Sequence, residues 1–179
     1  MIHGIRNIGN SCYMASVVQC LRRVRKALGF PPFESMMIHL SGEMEDVHEF
    51  YLQIMDRLAG TSLAQELSIE FMDGSKASFL MLNNDLEYDG PKVHTIGRAV
   101  CAYILPNLRY LSSVERLIIH ECYNLFLVGA IAFCPERRHY YALIEQDGRF
   151  LRCDDSYIVD ANDGPYNLCM LFFVYVTND

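Results

Sequence analysis

Among the 179 residues, the positions whose types and spacing could do chemistry are Cys12, His139 and the pair Asp154-Asp155. The segment from Gly4 to Met14, GIRNIGNSCYM, places a cysteine where a glycine-containing turn enters a helix. A thiol there sits against unpaired backbone N–H groups and the positive end of the helix dipole, and both favour thiolate, the attacking form of cysteine in covalent catalysis. A buried structural cysteine that happens to start a helix has the same local pattern. His139 opens a strand directly after the polar turn Pro135-Glu136-Arg137-Arg138, and Asp154-Asp155 closes the next strand of the same hairpin, so cross-strand placement brings the two together. A cysteine, a histidine that deprotonates it and a carboxylate that orients the histidine are the parts of a cysteine-protease triad. A His-Asp ion pair on a surface hairpin needs no cysteine, and spacing alone does not carry Cys12 to His139. His48-Glu49 does not extend to the zinc motif HExxH, because position 52 is Leu52.

The elements that must position these groups are legible in outline. Ser11 is placed to cap a helix over about 12–28, with Met14, Val17, Val18, Leu21, Val24 and Leu28 at helical spacing. Arg22, Arg23, Arg25 and Lys26 crowd its C-terminal end as a solvated, dipole-matched face, and Gly29 and Pro31-Pro32 stop it. A second helix over about 45–58 has the apolar stripe Val47, Phe50, Tyr51, Ile54 and Leu58, with Asp46 and Glu49 on the opposite side. The stretch 59–97 is mixed and rich in turn signals, with one candidate strand at Ala77–Leu82. The C-terminal half reads as sheet: 99–105, 124–133, 139–145, 149–153 and 168–176 are β-branched, aromatic or aliphatic, and Gln146-Asp147-Gly148 makes a hairpin turn. Leu125–Phe133 is apolar without alternation, as in a strand covered on both faces. The expectation is one α+β domain over residues 1–179, helices first and sheet second.

Composition narrows the class. Apolar residues make up 51% and charged residues 21%, enough for a core and unlike a disordered tail. The formal charge of −7 disfavours a nucleic-acid binder and suits a basic partner. No uncharged apolar stretch reaches the roughly 20 residues that cross a bilayer, and the first residues lack a signal-peptide layout. None of the seven cysteines forms a Cys-x-x-Cys pair, which removes the usual signal for a zinc ribbon or a thioredoxin-like motif. The odd count argues against a secreted disulfide framework, so a reducing, cytoplasmic setting is expected, in a host cytosol if the source is a virus or intracellular parasite. No metal, no organic cofactor and a monomeric state are expected.

Four segments, in order, resemble the motifs of the ubiquitin-specific proteases. Gly4–Leu21, GIRNIGNSCYMASVVQCL, is similar to the cysteine box GLxNLGNTCYMNSxLQxL. Met44–Leu58, MEDVHEFYLQIMDRL, is similar to the QQDAxEF box. Tyr123–Asp155 is similar to the histidine box, and Tyr166–Tyr175 to the closing strand. The resemblance implies a papain-like cysteine-protease fold with an N-terminal helical thumb and a C-terminal antiparallel palm. It implies a thiol-dependent deubiquitinase that cleaves isopeptide or peptide bonds after ubiquitin's C-terminal glycine through a thioester. Carried over by position, Cys12 is the nucleophile, His139 the general base and Asp154 the residue that orients the imidazole. Asp155 is its polar neighbour at the oxyanion, and Asn7 the side-chain oxyanion donor beside the Cys12 N–H. Asp46 and Glu49 match the acidic positions that hold the arginines of ubiquitin's tail, and Arg138 and Tyr140 flank the histidine as substrate contacts. The implied partners are ubiquitin and ubiquitinated proteins.

The departures are specific. The fingers, with their paired Cys-x-x-Cys zinc motifs, have no evident counterpart and are expected to be reduced or absent. The glycine before the histidine is here Arg138, and Phe133-Cys134-Pro135 replaces His-x-Gly. Ala15 replaces an asparagine, and Phe150 and Cys153 replace the tryptophan and phenylalanine of the histidine box. Arg138 and the missing fingers leave room for a ubiquitin-like modifier as substrate. A binding-only module is the reading from another class, and the presence of Cys12, His139, Asp154 and Asn7 weighs against it.

Overall fold

Helix α1 (Cys12–Ala27) buries Tyr13, Val17, Cys20, Leu21 and Val24. Of the expected stripe, Val17, Leu21 and Val24 are buried, while Met14, Val18 and Leu28 lie half-buried at the edge of the core. Tyr13 takes the inward place through an edge-on contact with Phe50, ring centroids 5.3 Å apart. Ser11 occupies the cap position, yet its side chain makes no capping bond; its carbonyl accepts from the Ala15 N–H at 3.0 Å. The helix ends as expected at Gly29, whose φ of +73° lets the Gly29 and Phe30 N–H groups turn back onto the Lys26 and Arg25 carbonyls. The basic end is not simply solvated: Arg23 pairs with the Glu145 carboxylate, and its Nε donates to the Glu145 carbonyl at 2.6 Å, tying α1 to the sheet. The computed structural model describes residues 3–6, 11–31, 46–120 and 123–175. Helix α2 (Val47–Arg57) follows, with Asp46 as its N-cap, and then the single-turn helix α3 (Ser62–Glu66), capped by Thr61.

The strands in chain order are β1 (Ile69–Phe71), β2 (Lys76–Ala77), β3 (Leu80–Met81), β4 (Val93–Ile96), β5 (Ala99–Arg109) and β6 (Arg116–Ile119). They continue as β7 (Tyr123–Cys134), β8 (His139–Gln146), β9 (Arg149–Asp154), β10 (Tyr157–Asp160) and β11 (Tyr166–Tyr175). The expected strand at 77–82 is broken into β2 and β3, which belong to different sheets. β1, β2 and β4 form a small antiparallel sheet in the order β2-β1-β4. The large sheet runs β10-β9-β8-β7-β11-β5-β3, antiparallel except for the parallel β3–β5 pair. One edge of β7 is taken by β11, and the other is shared between β6 along its first residues and β8 along its last.

Both faces of this sheet are covered, which is why β7 and β11 carry no alternation of apolar and polar residues. On one face α1, α2 and α3 pack on Cys101, Val128, Ala142, Ile144, Cys153 and Phe172. On the other face Leu80, Val100, Ala102, Leu143, Leu171 and Phe173 join residues of β1, β4, β6 and the 3-10 turn Leu111–Val114. Gly129 of β7 lets α1 come close: a Cβ there would stand 3.2 Å from the Cys20 sulfur. Phe172 is fully buried on the central strand β11, beneath Tyr51 of α2 with ring centroids 5.9 Å apart. Phe172→Ala is expected to cost about 3–5 kcal/mol, read as a lower denaturant midpoint in equilibrium unfolding.

Candidate functional site

The site is assembled where the N-terminus of α1 meets the first residues of β8. Cys12 is the first helical residue and is 4% exposed. No acidic residue stands in the first turn and the Ser11 side chain makes no capping bond, so the positive dipole end of α1 faces the thiol. The Cys12 Sγ accepts from the Tyr140 backbone N–H at 3.5 Å, a contact that spans 128 positions of sequence and sets the sulfur beside the residue following His139. Ser16 Oγ donates to the Cys12 carbonyl at 2.8 Å.

The chain leading to Cys12 is fastened on two sides. Gln19 of α1 donates to the His3 carbonyl at 2.5 Å, and the Ile5 N–H donates to the Asp155 carbonyl at 3.0 Å. Between them Gly4 lies against the backbone of Ser156, where a Cβ would come within 2.6 Å of its carbonyl oxygen. A glycine opens the segment because the lead-in to Cys12 packs directly on the Asp155-Ser156 turn that follows β9. Asn7 lies outside the described residues.

His139 is 8% exposed, at the mouth of the β7–β8 hairpin opposite Cys134. Its Nε2 is 2.6 Å from Asp154 Oδ1 and 4.0 Å from Asp155 Oδ2, which leaves Nδ1 as the ring nitrogen for a thiol proton. In the β8–β9 register Ala142 faces Cys153, so Asp154 falls opposite Tyr141 and reaches His139 as a diagonal neighbour. The other oxygen of Asp154, Oδ2, accepts from Arg152 Nη2 at 2.6 Å and from Arg137 Nη1 at 3.2 Å. Burial works against the charge on Asp154, but the hydrogen bonds from Arg152 and His139 outweigh it and hold the carboxyl below the usual aspartate range. Asp155 sits in the left-handed region at φ +55°, which an aspartate tolerates.

The expected substrate contacts are distributed around this core. Asp46 is not on a helix face but is the cap of α2, its Oδ1 accepting from the His48 N–H at 2.8 Å. It stands in the same neighbourhood as Cys12: burial chiefly, with contributions that include Asp46 and Cys12, pushes the Tyr140 phenol well up. Glu49 is exposed on the first turn of α2. Arg138 is exposed and holds φ +47°, in the left-handed region that favours glycine, at the position where the resemblance expects a glycine. The residues that sequence reasoning missed are Arg137 and Arg152, two positions from His139 and Asp154 respectively. Strand periodicity puts Arg152 on the same side of β9 as Asp154 and was the available signal. His139, Asp154 and Asp155 offer donor atoms within 4.8 Å of one another, but two guanidiniums already neutralise Asp154 and oppose a cation there. An open cleft of about 470 Å³ lined by residues of α3, β1, β2 and β4, among them Gln65, Glu70, Lys76 and Thr95, contains none of these groups.

No family profile matches the chain, and no curated protein matches it in sequence. Its fold is shared with solved structures. The SAGA DUB module, Ubp8 with Sgf11, Sus1 and Sgf73, bound to monoubiquitin, superposes with a TM-score of 0.64 at 11% identity, over 98% of this chain and 69% of that one. The same module bound to ubiquitin aldehyde gives 0.65 at 11% identity, over 98% and 70%. An essential yeast splicing factor gives 0.70 at 9% identity, over 98% and 69%. The chain therefore has a mixed α+β fold, mostly sheet, of the type seen in a ubiquitin-bound DUB module, and one fold serves more than one function.

Two outcomes follow from the geometry. Gly4→Ala is expected to displace the lead-in from the Asp155-Ser156 turn and slow iodoacetamide alkylation of Cys12 severalfold, measured by peptide mass spectrometry, with the melting temperature lowered by only a few degrees. The folded-state pKa of Asp154 is depressed, so its contribution to stability is present above the unfolded value of about 3.9 and disappears as pH falls through the lower folded value. Asp154→Asn is accordingly expected to be less stable than wild type at pH 7, with the gap narrowing below about pH 4 in denaturant titrations.

Proposed function

We propose that the chain is a single-domain thiol protease that hydrolyses the bond after the C-terminal glycine of ubiquitin. The observation that carries the reading is the Cys12 sulfur on the Tyr140 N–H, next to a His139 whose Nε2 is fixed by Asp154. Fold likeness to a module solved with ubiquitin supports the choice of substrate. In this reading α1–α3 are the thumb and the large sheet the palm. The three-stranded β2-β1-β4 sheet stands in the span where larger family members carry fingers.

His139 Nδ1 takes the thiol proton, and Cys12 attacks the glycine carbonyl. The oxyanion of the tetrahedral intermediate is received by the Cys12 N–H at the positive end of α1, with Asn7 as the second donor. Collapse breaks the C–N bond, and the imidazolium returns its proton to the departing lysine amine, leaving a thioester on Cys12. A water deprotonated by His139 then attacks the thioester, releasing the carboxylate and the thiol. Asp154 keeps the imidazole oriented throughout. Asp46 and Glu49, at the start of α2 on the Tyr140 side, suit the basic tail of ubiquitin. A second reading keeps the chemistry and changes the modifier: Arg138 replaces a glycine, and Phe133-Cys134-Pro135 replaces His-x-Gly, in the loop that by the resemblance borders the Gly-Gly channel.

The test is a ubiquitin C-terminal electrophile, read as a mass shift on wild type, Cys12→Ala and His139→Ala. A ubiquitin-sized adduct is expected on wild type, none on Cys12→Ala, and labelling at least about a hundredfold slower on His139→Ala. Labelling only by electrophiles made from ubiquitin-like proteins selects the second reading. Silence with every probe discards both in favour of binding without cleavage.

A further inference from the structure

We infer that Arg152 is a positioning residue for the Cys12–His139 chemistry, acting through Asp154 by fixing its carboxylate and setting how much of its charge reaches the imidazole. The inference rests on the thiol-protease reading above. A carboxylate bonded through one oxygen only can swing about its terminal torsion. Asp154 is bonded through both: Oδ1 to His139 at 2.6 Å, and Oδ2 to Arg152 at 2.6 Å. Arg152 is in turn held flat, its guanidinium carbon 4.1 Å from the centroid of the Tyr141 ring, and Tyr141 meets Tyr166 of β11 edge-on with centroids 6.3 Å apart. The orienting interaction thus runs from the central strand β11, through two tyrosines and a guanidinium, to the base. Arg137 reaches the same Oδ2 at 3.2 Å, but its side chain is 57% exposed against 32% for Arg152, so its pair is the weaker and more screened of the two.

The charge around His139 is balanced from every side. Arg137 comes from the β7–β8 turn, with Arg138 beside it in sequence; Asp155 comes from the β9–β10 turn at 4.0 Å, and Arg152 from β9. Cys12 approaches from α1, Tyr141 and Tyr166 stand behind, and Asp46 of α2 lies beyond Tyr140. Two guanidiniums on Asp154 draw its negative charge away from the imidazole. Without the Arg152 charge, more of the Asp154 charge acts on the imidazole, while the carboxylate is less well aimed.

The test compares wild type with Arg152→Met, which keeps an apolar stem over Tyr141, with Arg152→Lys as the conservative variant, and with each change in an Asp154→Asn background. Steady-state kinetics on a fluorogenic ubiquitin C-terminal amide and the pH profile of Cys12 alkylation by iodoacetamide are read in parallel. Arg152→Met is expected to lower kcat about tenfold with KM unchanged, and to move the alkaline limb of kcat/KM upward by about half a unit to one unit. Arg152→Lys recovers the limb position, and in the Asp154→Asn background Arg152→Met changes nothing further. An unchanged limb and kcat in a folded Arg152→Met protein, or an equal effect with and without Asp154, overturns the inference and leaves the protease reading standing. A wild-type Cys12 that alkylates no faster than an ordinary thiol at any pH overturns the protease reading, and the inference with it.

Discussion

The contact between the first turn of α1 and the start of β8 brings together residues 128 positions apart, and the packing around it is arranged to hold that contact in place. The helix cannot reach the strand unless the sheet offers a shallow surface, which Gly129 provides beneath Cys20. Arg23 anchors the other end of α1 to Glu145, near the far end of β8. Between these points Val17, Leu21 and Val24 pack with Ala142, Ile144 and Cys153, so the register of helix on strand is fixed by close packing along several turns. Much of the site's geometry is inherited from this core.

What the sequence made legible follows the range of the interactions involved. Helix α2 and strands β7, β8 and β9 declare themselves through local periodicity and a hairpin turn, and all were foreseen within a few residues. Strands β1, β4, β6 and β10 are three or four residues long and exist because a partner elsewhere offers its edge; nothing in Val93–Ile96 or Tyr157–Asp160 announces that partner. Tyr13 joins the buried stripe of α1 against Phe50 across the helix pair, a long-range contact that helical spacing does not announce. At the site, Cys12, His139 and Asp154 were readable by type and resemblance. Arg152 and Gly4 acquire their roles only through Asp154 and Ser156, and no spacing rule names those neighbours.

An acidic chain builds a site in which positive charge matters. The open end of α1 and the guanidiniums on Asp154 are local, partly buried features, and the net charge of −7 is carried by side chains elsewhere. Overall charge bears on encounter with a partner, whereas the reacting groups respond to fields within a few ångströms. Four other thiols reinforce the distinction. Burial pushes Cys20, Cys101 and Cys169 well up and Cys153 up to about 11, so these sulfurs serve as small apolar filling.

The separation of Cys12 from His139 along the chain also orders events in time. Synthesis proceeds from the N-terminus at about 5–20 residues per second, so the segment carrying Cys12 leaves the ribosome several seconds before the segment carrying His139. Gly4 and Ile5 find their seat only when the Asp155-Ser156 turn has been made, and that turn lies beyond His139 itself. During synthesis Cys12 therefore lacks the neighbours that surround it in the fold. The site is complete only when the fold has closed, and a truncated copy carries Cys12 without its partners.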